Sequence, residues 1–163
     1  MPTSQPDAGA WARWEAHLVD AVAALGDGES LTLTGAESAA RPVRRRAARL
    51  GGLIPARHEV VAPWVRLDRV DDLLRGRCVG AGVAHGGGFP LSPDEDDALT
   101  ALGWHRPGPL EGEGFIRFWP DDVPQGPFLP QEDADRAAAM VAATFREVLL
   151  GPDAAELPAL GTR

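Results

Sequence analysis

The side chains with which this chain could do chemistry are few and scattered. Its four histidines, His17, His58, His85 and His105, stand far apart, and its one cysteine, Cys78, has no partner cysteine. No pair among them has the spacing of helix-borne or finger-type metal ligands, so neither a metal nor a cofactor is expected. His85-Gly86-Gly87-Gly88 has the form of the glycine-rich oxyanion segment of some lipases and esterases. That role needs a G-x-S-x-G nucleophile elbow, and the chain has none. Gly80-Ala81-Gly82-Val83-Ala84-His85 begins as a dinucleotide fingerprint, fails at its sixth position and leads into more glycine; no Walker A sequence is present. A glycine-rich loop between a strand and a helix accounts for both segments. An acid–base pair would have to be assembled from His85 with Asp94 or Asp96, and the acidic run at 94–97 has a structural role of its own, given below. The residues therefore describe a protein that is not an enzyme, with no catalytic site.

Charge is the second kind of chemistry on offer. All sixteen basic residues are arginine, and the formal net charge is −8, which disfavours whole-surface binding to nucleic acid or anionic lipid. Against that background Arg41, Arg44, Arg45, Arg46, Arg49 and Arg57 concentrate positive charge in one short stretch. The bland reading is a solvated loop tethered near an acidic body. A phosphate-binding patch and a dock for an acidic partner are the functional alternatives. No aromatic residue is interleaved to stack a base, so nucleic acid is the weaker of the two. The chain also lacks Lys, Asn and Tyr, whose codons are AT-rich, so the preference for arginine reads as genome composition, pointing to high-GC bacteria, and carries no mechanism.

At 163 residues, 44% of them apolar, the chain suffices for one hydrophobic core without disulfide or metal staples. A lone cysteine fits a reducing compartment, no stretch approaches a membrane span, and the N-terminus lacks a signal-peptide pattern. A cytoplasmic location is the expectation.

The elements follow from periodicity. Trp11, Trp14, Leu18, Val22 and Leu25 recur at helical spacing and predict a helix over 10–25, with both tryptophans in the core and Gly26 as a left-handed cap. Residues 30–34 read as a short strand. Residues 35–58 have no sustained period and are read as a mobile insertion rich in Arg, Gly and Pro, with a helical turn at 43–50. Alternation at 64–68 predicts a strand, with Val65 and Leu67 facing away from Arg66 and Asp68, and residues 73–79 return as its neighbour, with Gly76 marking a bulge. Ser92-Pro93-Asp94-Glu95 is a capping box with proline at the first helical position, and its acids complement the helix dipole. Gly103 ends that helix. A strand is expected at 115–119 and a last helix over 131–150, stopped by Gly151-Pro152. The boundaries are a flexible tail at 1–9, one domain over 10–157 and a loosely packed tail at 158–163. Strands in hairpin order with helices packed on one side predict an α+β fold with an antiparallel sheet.

Four pieces between residues 63 and 157 then carry a family resemblance. Ala62-Pro63-Trp64-Val65-Arg66-Leu67 is similar to a P-Y-V-Q strand, with Trp in the aromatic place. Residues 91–97 are similar to a sheet-to-helix passage. Leu102-Gly103-Trp104-His105-Arg106-Pro107 is similar to an L-G-W-x-x-P signature. Phe145-Arg146-Glu147-Val148, with Gly151-Pro152 and Glu156-Leu157, is similar to a closing L-R-E-V helix and its exit. Together they resemble the type III secretion chaperone-like domains called TY-Chap, or YbjN-like. The chain departs from them at Cys78-Val79-Gly80-Ala81-Gly82, where the family often has E-V-V-S-N. The resemblance implies a curved antiparallel sheet with helices, built to hold a partner polypeptide or to form a homodimer, without ATP. The functional expectation is a non-enzymatic protein-binding module, chaperone- or adaptor-like. The alternative is a regulator that contacts nucleic acid or an acidic partner through 41–57. The partner-binding candidates are Trp64, Arg66 and Trp119, with Arg44, Arg45, Arg46 and Arg49 of the basic run.

Overall fold

The computed structural model describes residues 9–45, 57–79, 88–106, 114–121 and 129–162. In order, the chain forms α1 (Ala10–Ala23), β1 (Ser30–Thr34), a 3-10 turn (Glu37–Ala39), β2 (Arg41–Arg45), β3 (Arg57–Val61), β4 (Trp64–Val70) and β5 (Leu73–Cys78). It continues through α2 (Pro93–Ala101), β6 (Phe115–Trp119), α3 (Gln131–Ala143), a π turn (Thr144–Leu149) and β7 (Ala159–Thr162). Five strands make one antiparallel sheet in the order β6-β5-β4-β1-β7, and β2 and β3 form a separate hairpin. The fold is α+β.

Alternation along each strand decides which face is buried. Leu31, Leu33, Val65, Leu67, Leu74 and Cys78 share one face and are fully buried. They meet Trp11, Trp14, Leu18 and Val22 of α1, Leu99 of α2, and Ala134, Ala137, Ala138 and Val141 of α3 in one hydrophobic cluster. The leucines and valines among them each contribute about 1.5–3 kcal/mol on full burial. The alanine stripe of α3 lets α1 approach closely, and Trp14 sits edge-on to both Trp11 and Phe145, with centroids 5.6 and 6.2 Å apart. All three helices therefore cover the same side of the sheet.

Several local expectations hold. Ser92 Oγ accepts from Glu95 N while Glu95 Oε2 accepts from Ser92 N, the reciprocal capping box. Gly103 takes φ 103°, which only glycine adopts without strain, and turns the chain so that Trp104 drops into the core.

Other expectations are corrected. The left-handed glycine after α1 is Gly28 (φ 78°), not Gly26, because Ala24 caps the helix in right-handed conformation and Gly26 N–H bonds to Glu29 Oε2 instead. Val43 lies in β2, opposite Glu59, so the expected helical turn begins as strand; β-branched Val favours that state. Residues 46–56 of the expected insertion lie outside the described residues. Gly76 makes no bulge: it pairs in register with Leu67 and Arg117. Its missing side chain leaves room for two indoles, since a Cβ there would sit 2.8 Å from Trp119 Cζ3 and 3.2 Å from Trp104 Cη2. Residues 159–162, expected as loose tail, are strand β7 along the outer edge of β1.

The last helix also changes pitch. Thr144 Oγ donates to the Met140 carbonyl at 2.8 Å and accepts from Trp104 Nε1 at 2.8 Å. A hydroxyl so engaged competes with the helical ladder. The turn widens there, and Leu150 N–H reaches the Phe145 carbonyl at 2.8 Å.

Candidate functional site

The helices occupy one side of the sheet, and among the described residues no helix lies on the other side. Register fixes what it presents. One row across the strands reads Thr32, Arg66, Arg77, Ile116; the next reads Ser30, Asp68, Arg75, Phe118. Val70 and Leu73 pair beyond them, and Trp64 stands opposite Thr34. Phe118 and Val70 are each 43% exposed, which marks this face as uncovered.

Three guanidiniums dominate the centre. Arg66 Nε donates to Asp68 Oδ1 at 2.6 Å, and Arg75 and Arg77 both reach Asp68 Oδ2, at 3.3 and 3.0 Å. Arg66 Nη2 also donates to Ser30 Oγ at 3.0 Å. The arginine side chains are 37–40% exposed while that of Asp68 is 9% exposed, so the carboxylate lies beneath the cations. Burial pushes the Asp68 carboxyl up. The Arg66 hydrogen bond and the charges of Arg77 and Arg66 outweigh that, and hold it below the usual carboxylate range. The Nε groups of Arg75 and Arg77 are buried without an acceptor among the described residues.

On the β7 side this face continues into a shallow pocket of about 440 Å³, where Thr32, Thr34 and Arg66 face residues 159–162. On the other side His105 covers part of the sheet edge, exchanging two backbone hydrogen bonds of 2.9 Å with Ile116. The Leu-Gly-Trp-His step therefore has two jobs. It buries Trp104 and guards the edge of β6.

The candidate residues separate clearly. Arg66 is at the centre of the open face and Trp64 is half-buried at its margin. Trp119 is only 2% exposed, edge-on to Trp104 at 6.3 Å; it faces the core because it shares the Leu74 side of the sheet, so it is corrected from a contact residue to a core residue. Arg44 and Arg45 stand in β2 opposite His58 and Arg57, while Arg46 and Arg49 lie outside the described residues. Arg41 is engaged within the fold: it bonds both oxygens of Glu95, donates to the Pro90 carbonyl at 2.8 Å, and lies 4.6 Å above the Phe89 ring. Arg75, Arg77 and Phe118, which share this face with Arg66, are not among the candidates named from the sequence. Their signal was the alternation of β5 and β6, which places them beside Arg66 once the strands are in register.

Catalytic chemistry finds little support here. Burial pushes the Cys78 thiol up, so it stays protonated. Asp96 accepts from Arg106 Nε at 2.6 Å, and His85 lies outside the described residues. Among the described residues no His, Cys, Asp and Glu cluster could hold a metal ion, and no helix is long and apolar enough to cross a membrane.

The family model described as T3SS (YopN, CesT) and YbjN peptide-binding chaperone 3, TY-Chap3, matches residues 5–161. The chain belongs to this family. A comparison with curated proteins found no match, and one with solved structures found none either. The TY-Chap3 match spans every element from α1 through the π turn and reaches into β7. The basic hairpin thus falls within the matched region, and the C-terminal strand all but its last residue.

Proposed function

We propose that this TY-Chap3 protein binds a polypeptide segment on the open face of its sheet and acts as an adaptor or chaperone without catalysis. The observation that carries the reading is a five-stranded sheet covered by helices on one side only, with arginines and exposed apolar groups side by side on the other. A soluble fold exposes apolar groups singly without consequence. Here Phe118 and Val70 adjoin partly exposed guanidiniums, which is the mixture a polypeptide can match with side chains and backbone carbonyls. The family description supports the same reading. A cytoplasmic setting fits the lone, buried thiol of Cys78.

Selection of random twelve-residue peptides on the full chain, followed by hydrogen exchange with a selected peptide bound, tests this. Protection concentrated in β4, β5 and β6 and lost in Phe118→Asp is expected. Enrichment of no peptide, or protection confined to the helices, would overturn it.

A further inference from the structure

We infer that the segment bound on this face is acidic, with carboxylates at alternate positions of an extended chain that engage Arg66, Arg75 and Arg77. The inference rests on the reading of the open face as a polypeptide site and adds the chemistry of the partner.

The first reason is a charge arrangement that the fold alone does not favour. Arg66 and Arg77 are directly opposite one another across β4 and β5, and like charges in that relation are destabilising. Asp68 is the single carboxylate among the described residues that answers them, and it is shared by three cations. Two of these use the same oxygen. The cluster keeps a charge of +2 on a chain whose formal net charge is −8, so the positive potential is local and distinct from its surroundings.

The second reason is spare donor capacity. A guanidinium carries five N–H donors. Arg75 and Arg77 each place one nitrogen on Asp68, and their side chains stay 37 and 40% exposed; their Nε groups are buried without an acceptor among the described residues and lie out of a ligand's reach. Exposed guanidinium nitrogens make charge-assisted, two-pronged bonds to carboxylates, for which arginine geometry is suited.

The third reason is the surroundings. Ile116 and Phe118 flank the cations on one side, and the pocket at Thr32 and Thr34 flanks them on the other. An extended segment with acids at every second position turns all its carboxylates toward the arginines and its remaining side chains away from the sheet. A nucleic acid fits less well, because its affinity comes from many phosphates and the described residues of the face offer three arginines.

Fluorescence anisotropy of three labelled peptides of about eleven residues on the full chain tests the inference. One alternates Glu and Val, one carries Gln for each Glu, and one carries Lys. The Glu peptide is expected to bind roughly 10-fold or more tightly than the Gln peptide at about 50 mM salt, with a smaller margin at about 200 mM. The paired variant Arg75→Gln/Arg77→Gln should abolish the margin while retaining a cooperative thermal transition. Phe118→Lys, at an exposed position, should tighten the Glu peptide and weaken the Lys peptide, and provides a readout should the paired variant fail to fold. Equal binding of the Glu and Gln peptides overturns the acidic preference and leaves polypeptide binding standing. If none of the three binds while selected peptides of other composition do, the preference again falls alone. Tighter binding of a single-stranded RNA of equal charge would assign the face to polyphosphate, and a dimer that protects β5 and β6 from exchange would assign it to a second copy; either overturns the inference.

Discussion

The Trp14 indole N–H donates to the Pro158 carbonyl at 2.9 Å, joining the first helix to the residue before the last strand. Trp11 makes a parallel bond to the Pro152 carbonyl at 3.3 Å. The two tryptophans therefore fill the core and also moor the C-terminal segment that delivers β7 to the edge of β1. Trp14→Phe keeps an aromatic ring but leaves the buried Pro158 carbonyl unpaired. It is expected to cost about 1–3 kcal/mol and to speed hydrogen exchange at 159–162 more than in β4, as measured by peptide-resolved exchange.

Gly76 tests the packing beneath the arginine cluster. A methyl group there would come closer to the rings of Trp119 and Trp104 than ordinary contact allows, 2.8 and 3.2 Å, so Gly76→Ala should destabilise by about 1–3 kcal/mol through overpacking. Urea unfolding would measure the loss, and near-ultraviolet circular dichroism would report the disturbed indole pair. Unchanged stability would mean that the indoles yield without cost.

Glu95 couples the basic hairpin to α2. The Arg41 hydrogen bond, against burial and with the help of Ser92, holds its carboxyl down to about 2. A depressed carboxyl stabilises the fold fully above the unfolded value of about 4.3, and the contribution is lost as pH falls toward 2. Glu95→Gln keeps an acceptor for the cap but removes the charge. Its thermal midpoint should therefore fall less steeply than that of the wild type between about pH 4.5 and 2, and parallel curves would show that the pair adds nothing.

Asp68 holds the three arginines in place. Asp68→Asn removes the shared charge, leaving Arg66 and Arg77 opposed. Since the arginines are more than a third exposed, the loss should be modest, roughly 1–2 kcal/mol at low salt after allowing for solvent screening. Added salt should restore part of it by screening the repulsion, and a midpoint that does not respond to salt would contradict the electrostatic account.

Local patterns were legible where one element explains itself. The α1 stripe, the Ser92 capping box, the turn at Gly103 and the strands at 30–34 and 115–119 all follow from spacing and cap chemistry within a few residues. The β2–β3 hairpin was not legible, since Arg41-Pro42-Val43-Arg44-Arg45 has little alternation and its partner lies beyond a long gap. Gly76 and Trp119 misled for a related reason. Whether a strand glycine makes a bulge or admits an indole, and whether a tryptophan faces a partner or the core, depends on a neighbouring strand that spacing does not identify.

By itself the amino-acid sequence determined the α+β class, the helix boundaries to within a few residues, the missing nucleophile elbow and Walker A motif, and the family resemblance that the chain's membership bears out. These depend on short-range periodicity, caps and motif spacing. Only the tertiary structure decided that the last residues form an edge strand and that Arg66, Arg75 and Arg77 share one carboxylate. Both depend on strand register, and register is set by which distant segments bury their apolar faces together.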